Sequence, residues 1–72
     1  MEPNKILRFV PPIIGERIIV ERIEEFSAKV AKVEWIDSEY GYKIHLDWGE
    51  FGMSYVWGHD EGNVWKRYFN VN

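Results

Sequence analysis

Between Tyr42 and Trp57 the chain alternates apolar and polar residues with a period that only extended backbone can use. Tyr42, Ile44, Leu46 and Trp48 fall on one face, and Lys43, His45 and Asp47 fall on the other. Gly49-Glu50-Phe51-Gly52 makes a tight connection, after which Met53-Ser54-Tyr55-Val56-Trp57 alternates again. Two strands joined this closely must be antiparallel neighbours.

The segment before this pair carries a different signal. Ala28 and Val30 share one face, whereas Val33 and Trp35 belong to the next phase. That slip predicts a β-bulge near Ala31-Lys32, with a bend in the strand that carries it. Asp37-Ser38-Glu39-Tyr40-Gly41 reads as the turn into the clean alternation, Gly41 being free to take a positive φ. Upstream, Glu16 to Ile23 is read as a strand because Ile18-Ile19-Val20 is β-branched and the run is short, although its charges also fit a helical period. Gly58-His59-Asp60-Glu61-Gly62-Asn63 is a second turn with room for a short 3₁₀ piece, and Val64 to Phe69 is a last short strand. Five short strands joined by glycine turns predict an all-β fold, a small five-stranded and strongly bent antiparallel barrel.

Residues 15–72 are expected to form this single domain and residues 1–14 an extended N-terminal arm, because Pro11-Pro12 excludes regular helix and central strand there. The apolar Ile6, Leu7, Phe9 and Val10 lead us to expect part of the arm to lie against the domain or a partner. At 72 residues the chain is small enough to need help in closing a core. It has no Cys, which removes disulfides, thiolate zinc sites and thiol nucleophiles and fits a reducing, cytoplasmic setting. It has instead twelve aromatic residues, more than one small core requires. No apolar run approaches the ~20 residues of a membrane span, and the N-terminus lacks the pattern of a signal peptide.

The net charge is −3, and residues 34–72 hold most of the acid. That balance argues against a duplex-DNA partner, whose affinity comes largely from Lys and Arg on phosphates. It leaves open a single-strand binder that works by stacking. Arg17, Arg22, Lys29 and Lys32 interleave with Glu16, Glu21, Glu24 and Glu25, as on a solvated face.

The chemistry-bearing residues are mostly rings. Phe26 precedes the bulged strand, Trp48 and Phe51 flank the Gly49 turn, and Tyr55 and Trp57 follow. Converging at one end of a barrel, they could hold a methylated cation by cation–π attraction or stack on bases. Trp48 also shares a face with Ile44 and Leu46 and is equally a candidate to cap the core. His45 with Asp47, and His59 with Asp60 and Glu61, lack metal-ligand spacing and any paired nucleophile, so no metal, cofactor or catalytic residue is predicted.

Phe26-Ser27-Ala28-Lys29-Val30-Ala31-Lys32-Val33, a turn, then Tyr42-Lys43-Ile44-His45-Leu46-Asp47-Trp48-Gly49 resembles the Tudor module of the SH3-like small barrels. The resemblance covers roughly residues 15–57. It implies a bent antiparallel barrel, and it implies that Phe26, Trp48 and either Phe51 or Tyr55 match positions that cage methyl-lysine or methyl-arginine in some members. Glu50 follows the Asp-aromatic-Gly triplet where readers of methylarginine often have Asn, and Glu25 stands where a second aromatic is frequent. The expected function is a non-catalytic interaction module that grips a protein or peptide partner through Phe26, Trp48, Phe51, Tyr55 and Trp57. Self-association is a variant of this reading, and a single-stranded nucleic-acid binder using Lys43, Lys66 and Arg67 is the alternative.

Overall fold

In the computed structural model, which describes residues 9–23 and 25–68, those residues form five antiparallel strands and no α-helix. The strands are β1 (Arg17–Val20), β2 (Ala28–Asp37), β3 (Gly41–Asp47), β4 (Met53–Trp57) and β5 (Trp65–Arg67). Short 3₁₀ turns occupy Glu21–Ile23, Gly49–Phe51 and Gly58–Asp60. All five strands belong to one sheet in the order β4-β3-β2-β1-β5, so the last strand returns to lie beside the first. No helix among the described residues is long and apolar enough to cross a membrane.

β2, ten residues long, is shared between two neighbours. Its first residues pair with β1 at Arg17↔Lys29 and Ile18↔Ala28, and the strand from Lys29 onward pairs with β3. The register shifts between Val30 and Lys32, so Ala31 is the inserted residue, where the phase slip in the sequence predicts a bulge. At the far end, Asp37 Oδ1 accepts the backbone N–H groups of Glu39 and Tyr40, and Gly41 follows at φ 74°. This is an Asx turn closed by the residue type that tolerates the left-handed region.

The core consists of Ile18, Ala28, Val30, Ile44, Leu46, Val56 and Trp65, with Phe9, Val20, Val33 and Trp48 packed against it. Each fully buried aliphatic side chain contributes about 1.5–3 kcal/mol. The alternation of β3 is thereby explained: Ile44 and Leu46 are buried, Tyr42 and Trp48 are half-buried at either end, and Asp47 is exposed. The ladder does not pair β4 with β5 among the described residues. The two end strands meet through the core instead. Val56 and Trp65 share the cluster, and the Trp65 indole N–H donates to the Trp57 carbonyl at 2.8 Å.

One expectation needs correction. The first strand does not run to Ile23. It stops at Val20, where the Glu21 N–H donates to Val64 O and the chain turns into a 3₁₀ segment. Val33 and Trp35 share a phase, as the register Val33↔Ile44 and Trp35↔Tyr42 shows, but Val33 packs against the core while Trp35, nearer the hairpin turn, is 57% exposed. Trp35 rests edge-on against Tyr42 at 5.1 Å.

Of the arm, residues 1–8 lie outside the described residues, as does Phe69 of the predicted last strand. Phe9 packs on Tyr42 at 5.9 Å and lies against Gly58, where a Cβ would meet its ring at 3.0 Å. Pro12 is buried, and an Arg67 guanidinium N–H donates to Val10 O at 2.6 Å.

Candidate functional site

The Gly49–Phe51 turn is built to present side chains. Asp47 Oδ1 accepts the Gly49 N–H at 2.8 Å, and the Trp48 N–H donates to Gly52 O at 2.8 Å. These bonds fix the chain as it leaves β3, so that Trp48 lies half-buried against the core while Phe51 is 75% exposed. The Trp48 indole N–H reaches Ser54 Oγ at 2.7 Å, tying the turn to β4. Phe26, from the approach to β2, meets Phe51 at 5.7 Å with the rings tilted by 50°.

Phe26, Trp48, Phe51 and Tyr55 line one open groove of about 480 Å³. This size is ordinary for a ligand site. Its remaining walls are Val20 and Ile23 from the end of β1 and the turn after it, Met53, Ser54 and Val56 from β4, and Val64 from the approach to β5. The lining is therefore apolar, and among the described residues it contains no Lys, Arg, Asp or Glu. The exposed Glu21, Glu25 and Glu50 each adjoin a lining residue in the chain, against the single exposed Arg22. The aromatic half of this groove is visible in the sequence. Ile23 and Val64 are not, because nothing local shows that the ends of β1 and β5 face β4. Met53 carries the one usable signal, its place in the alternation with Tyr55.

Trp57 lies elsewhere. It is half-buried, touching Tyr55 edge-on at 5.7 Å and Tyr40 at 5.7 Å, with the His59 ring stacked on it at 6.3 Å. The Lys43 ammonium sits 4.2 Å from the centre of the Tyr55 ring. Four of the five predicted rings therefore share the groove, and Trp57 borders it only through Tyr55.

The histidines are taken up by neighbours. His45 Nε2 lies 3.0 Å from Glu34 Oε1 across the β2–β3 ladder, and His59 Nε2 lies 3.9 Å from Asp60. No group of three or more His, Asp or Glu residues is placed to hold a metal among the described residues. The hydrogen bond from His45 holds the Glu34 carboxyl below its ordinary value of 4.5, with the charges of Lys32, His45 and Lys43 assisting. A carboxyl depressed in this way stabilises the fold above its unfolded pKa, and the contribution disappears as pH falls through the folded value. A carbon-detected NMR titration should therefore place Glu34 below 4.5, and His45→Ala should return it toward that value. No movement on substitution would show that His45 is not the cause.

Comparison with protein-family models, curated proteins and solved structures finds no match to this chain.

Proposed function

We propose that the chain is a non-catalytic interaction module of the Tudor-like and SH3-like small-barrel kind, which binds a peptide segment of a protein partner in the groove at the Gly49 turn. The observation that carries this reading is the convergence of Phe26, Trp48, Phe51 and Tyr55 on one apolar groove. Rings half or more exposed, such as Phe26 and Phe51, are costly to leave in water on a small domain unless something covers them. The bulged β2 and the Trp65–Trp57 contact between the end strands favour a rolled, barrel-like sheet. A methylated lysine is one side chain the rings would accept. The nucleic-acid alternative lacks cations at the site. Arg67 is engaged by Glu61 and Glu16, and Lys43 by Tyr55. The lack of Cys favours a cytoplasmic setting.

Selection of a random peptide library on the full chain tests the reading. Bound peptides are expected to shift the NMR signals of Phe26, Trp48, Phe51, Tyr55 and Val64. Phe51→Ala should weaken them by about tenfold or more, as expected for an aromatic anchor. Since Phe51 is largely exposed, the substitution should leave the fold intact. Shifts confined to another face, or salt-sensitive binding of oligonucleotides in place of peptides, would overturn it.

A further inference from the structure

The groove touches Met53, Ser54, Tyr55 and Val56 in succession. Consecutive residues of a strand point to opposite faces. A groove that meets all four must run along the edge of β4, not over one face of it.

The phase of the ladder shows what that edge offers. The Val30 N–H donates to Glu16 O, and Val30 O accepts from the Gly15 N–H, so Val30 turns its backbone toward β1. Its β3 partner Leu46 therefore turns toward β4, where it faces Ser54. In an antiparallel pair, bonded and non-bonded positions alternate. Ser54 and Val56 thus bond to β3, while Met53, Tyr55 and Trp57 direct their N–H and C=O groups outward. The Trp57 carbonyl confirms the phase independently, because it accepts the Trp65 indole N–H from the far side. Met53 and Tyr55 have no backbone partner on that side among the described residues.

We infer that β4 takes a further strand: an extended segment of a partner protein, apolar at alternate positions and carrying Lys or Arg, pairs with Met53 and Tyr55 while its apolar side chains enter the groove. This rests on the peptide-binding reading above and specifies its mode. Main-chain bonds supply affinity in strand addition, and the pockets beside the edge supply selectivity. The charge of the occupant follows from the exposed Glu25 and Glu50, which adjoin the lining residues Phe26 and Phe51 in the chain. The same acids disfavour a second copy of this chain, which would bring like charges together.

Amide hydrogen exchange on the full chain, free and saturated with the selected peptides, tests this. In the free protein the Ser54 and Val56 amides should exchange slowly and those of Met53 and Tyr55 rapidly. Bound peptide should slow the latter two. Selected sequences should alternate apolar with basic residues, and N-methylation at alternate peptide positions should weaken binding by about tenfold, the scale of one lost main-chain bond. Met53→Pro removes one outward donor at the first residue of an edge strand, a position proline tolerates. It should weaken binding similarly, whereas Met53→Leu should not. Peptides that bind in a manner sensitive to Phe51→Ala, yet leave Met53 and Tyr55 in rapid exchange, would overturn strand addition and spare the groove reading. Failure to select any peptide would overturn both. Slow exchange of Met53 and Tyr55 in the free monomer, or concentration-dependent slowing with dimer formation, would show that the chain covers this edge itself and would overturn the partner assignment.

Discussion

Trp65→Ala is expected to destabilise the domain by about 3–5 kcal/mol, the usual cost of emptying a buried aromatic site. Domains hold roughly 0.05–0.15 kcal/mol per residue, so a chain of 72 residues has little beyond that to lose. Trp65 is 1% exposed and is the largest side chain of a core with seven buried members among the described residues. It comes from a strand of three residues, whose hold on the sheet is short. Its indole N–H also makes the bond to Trp57 O that connects β5 with β4, two strands the ladder does not pair with each other among the described residues. Trp65→Phe separates the two contributions, since it keeps a ring in the site and removes the donor. It should cost distinctly less than Trp65→Ala. Urea unfolding followed by circular dichroism measures both; an alanine variant within about 1 kcal/mol of the parent would mean that the core closes without Trp65.

Gly52→Ala should cost about 1–3 kcal/mol for a reason unrelated to packing. Gly52 has φ 99° and ψ −156°, a region essentially confined to glycine. A Cβ there would meet nothing within 4 Å, so the penalty is one of backbone conformation alone. The position also matters to the groove, because Gly52 O receives the Trp48 N–H and the Gly52 N–H donates to Gly49 O at 3.1 Å. Relaxation of the strained turn should therefore disturb the Trp48 and Phe51 signals in NMR spectra as well as lower the urea midpoint. D-alanine placed at the same position by chemical synthesis is the control. Its mirror-image preference suits a positive φ, and it should restore most of the stability. Equal loss with both enantiomers would locate the cost in sterics instead.

β3 is legible in the sequence because it buries one face, and a period of two is the mark of that arrangement; in β4 the alternating Met53, Tyr55 and Trp57 stay exposed or half-buried, and the buried residue is Val56 of the opposite phase. The bulge at Ala31 is legible for the same reason: an inserted residue changes the phase of every apolar residue after it. What is not legible depends on where distant segments meet. Val20 ends β1 because Glu21 bonds to Val64, more than forty residues away in the chain. Trp35 continues an apolar phase but extends past the core that would have buried it. Tyr55 and Trp57 share a face of β4, yet only Tyr55 reaches the groove, since that groove lies along the strand edge and Trp57 faces Tyr40 and His59.

The pairing of β1 with β5 has a mechanical consequence. Ile18 pairs with Arg67 and Val20 with Trp65, so the start of β1 and the end of β5 lie side by side, where the Tyr68 N–H meets Arg17 O. A load applied at Arg17 and Tyr68 would act across the strands. The bonds would break in succession, as in a zipper, and not all together, as they would under shear. The Arg67 contacts to Val10 O, Glu16 and Glu61 lie next to that point, and Trp65 lies two residues further along β5. Peeling of this kind would start at the end of β1 and β5 remote from the groove walls at Val20 and Val64.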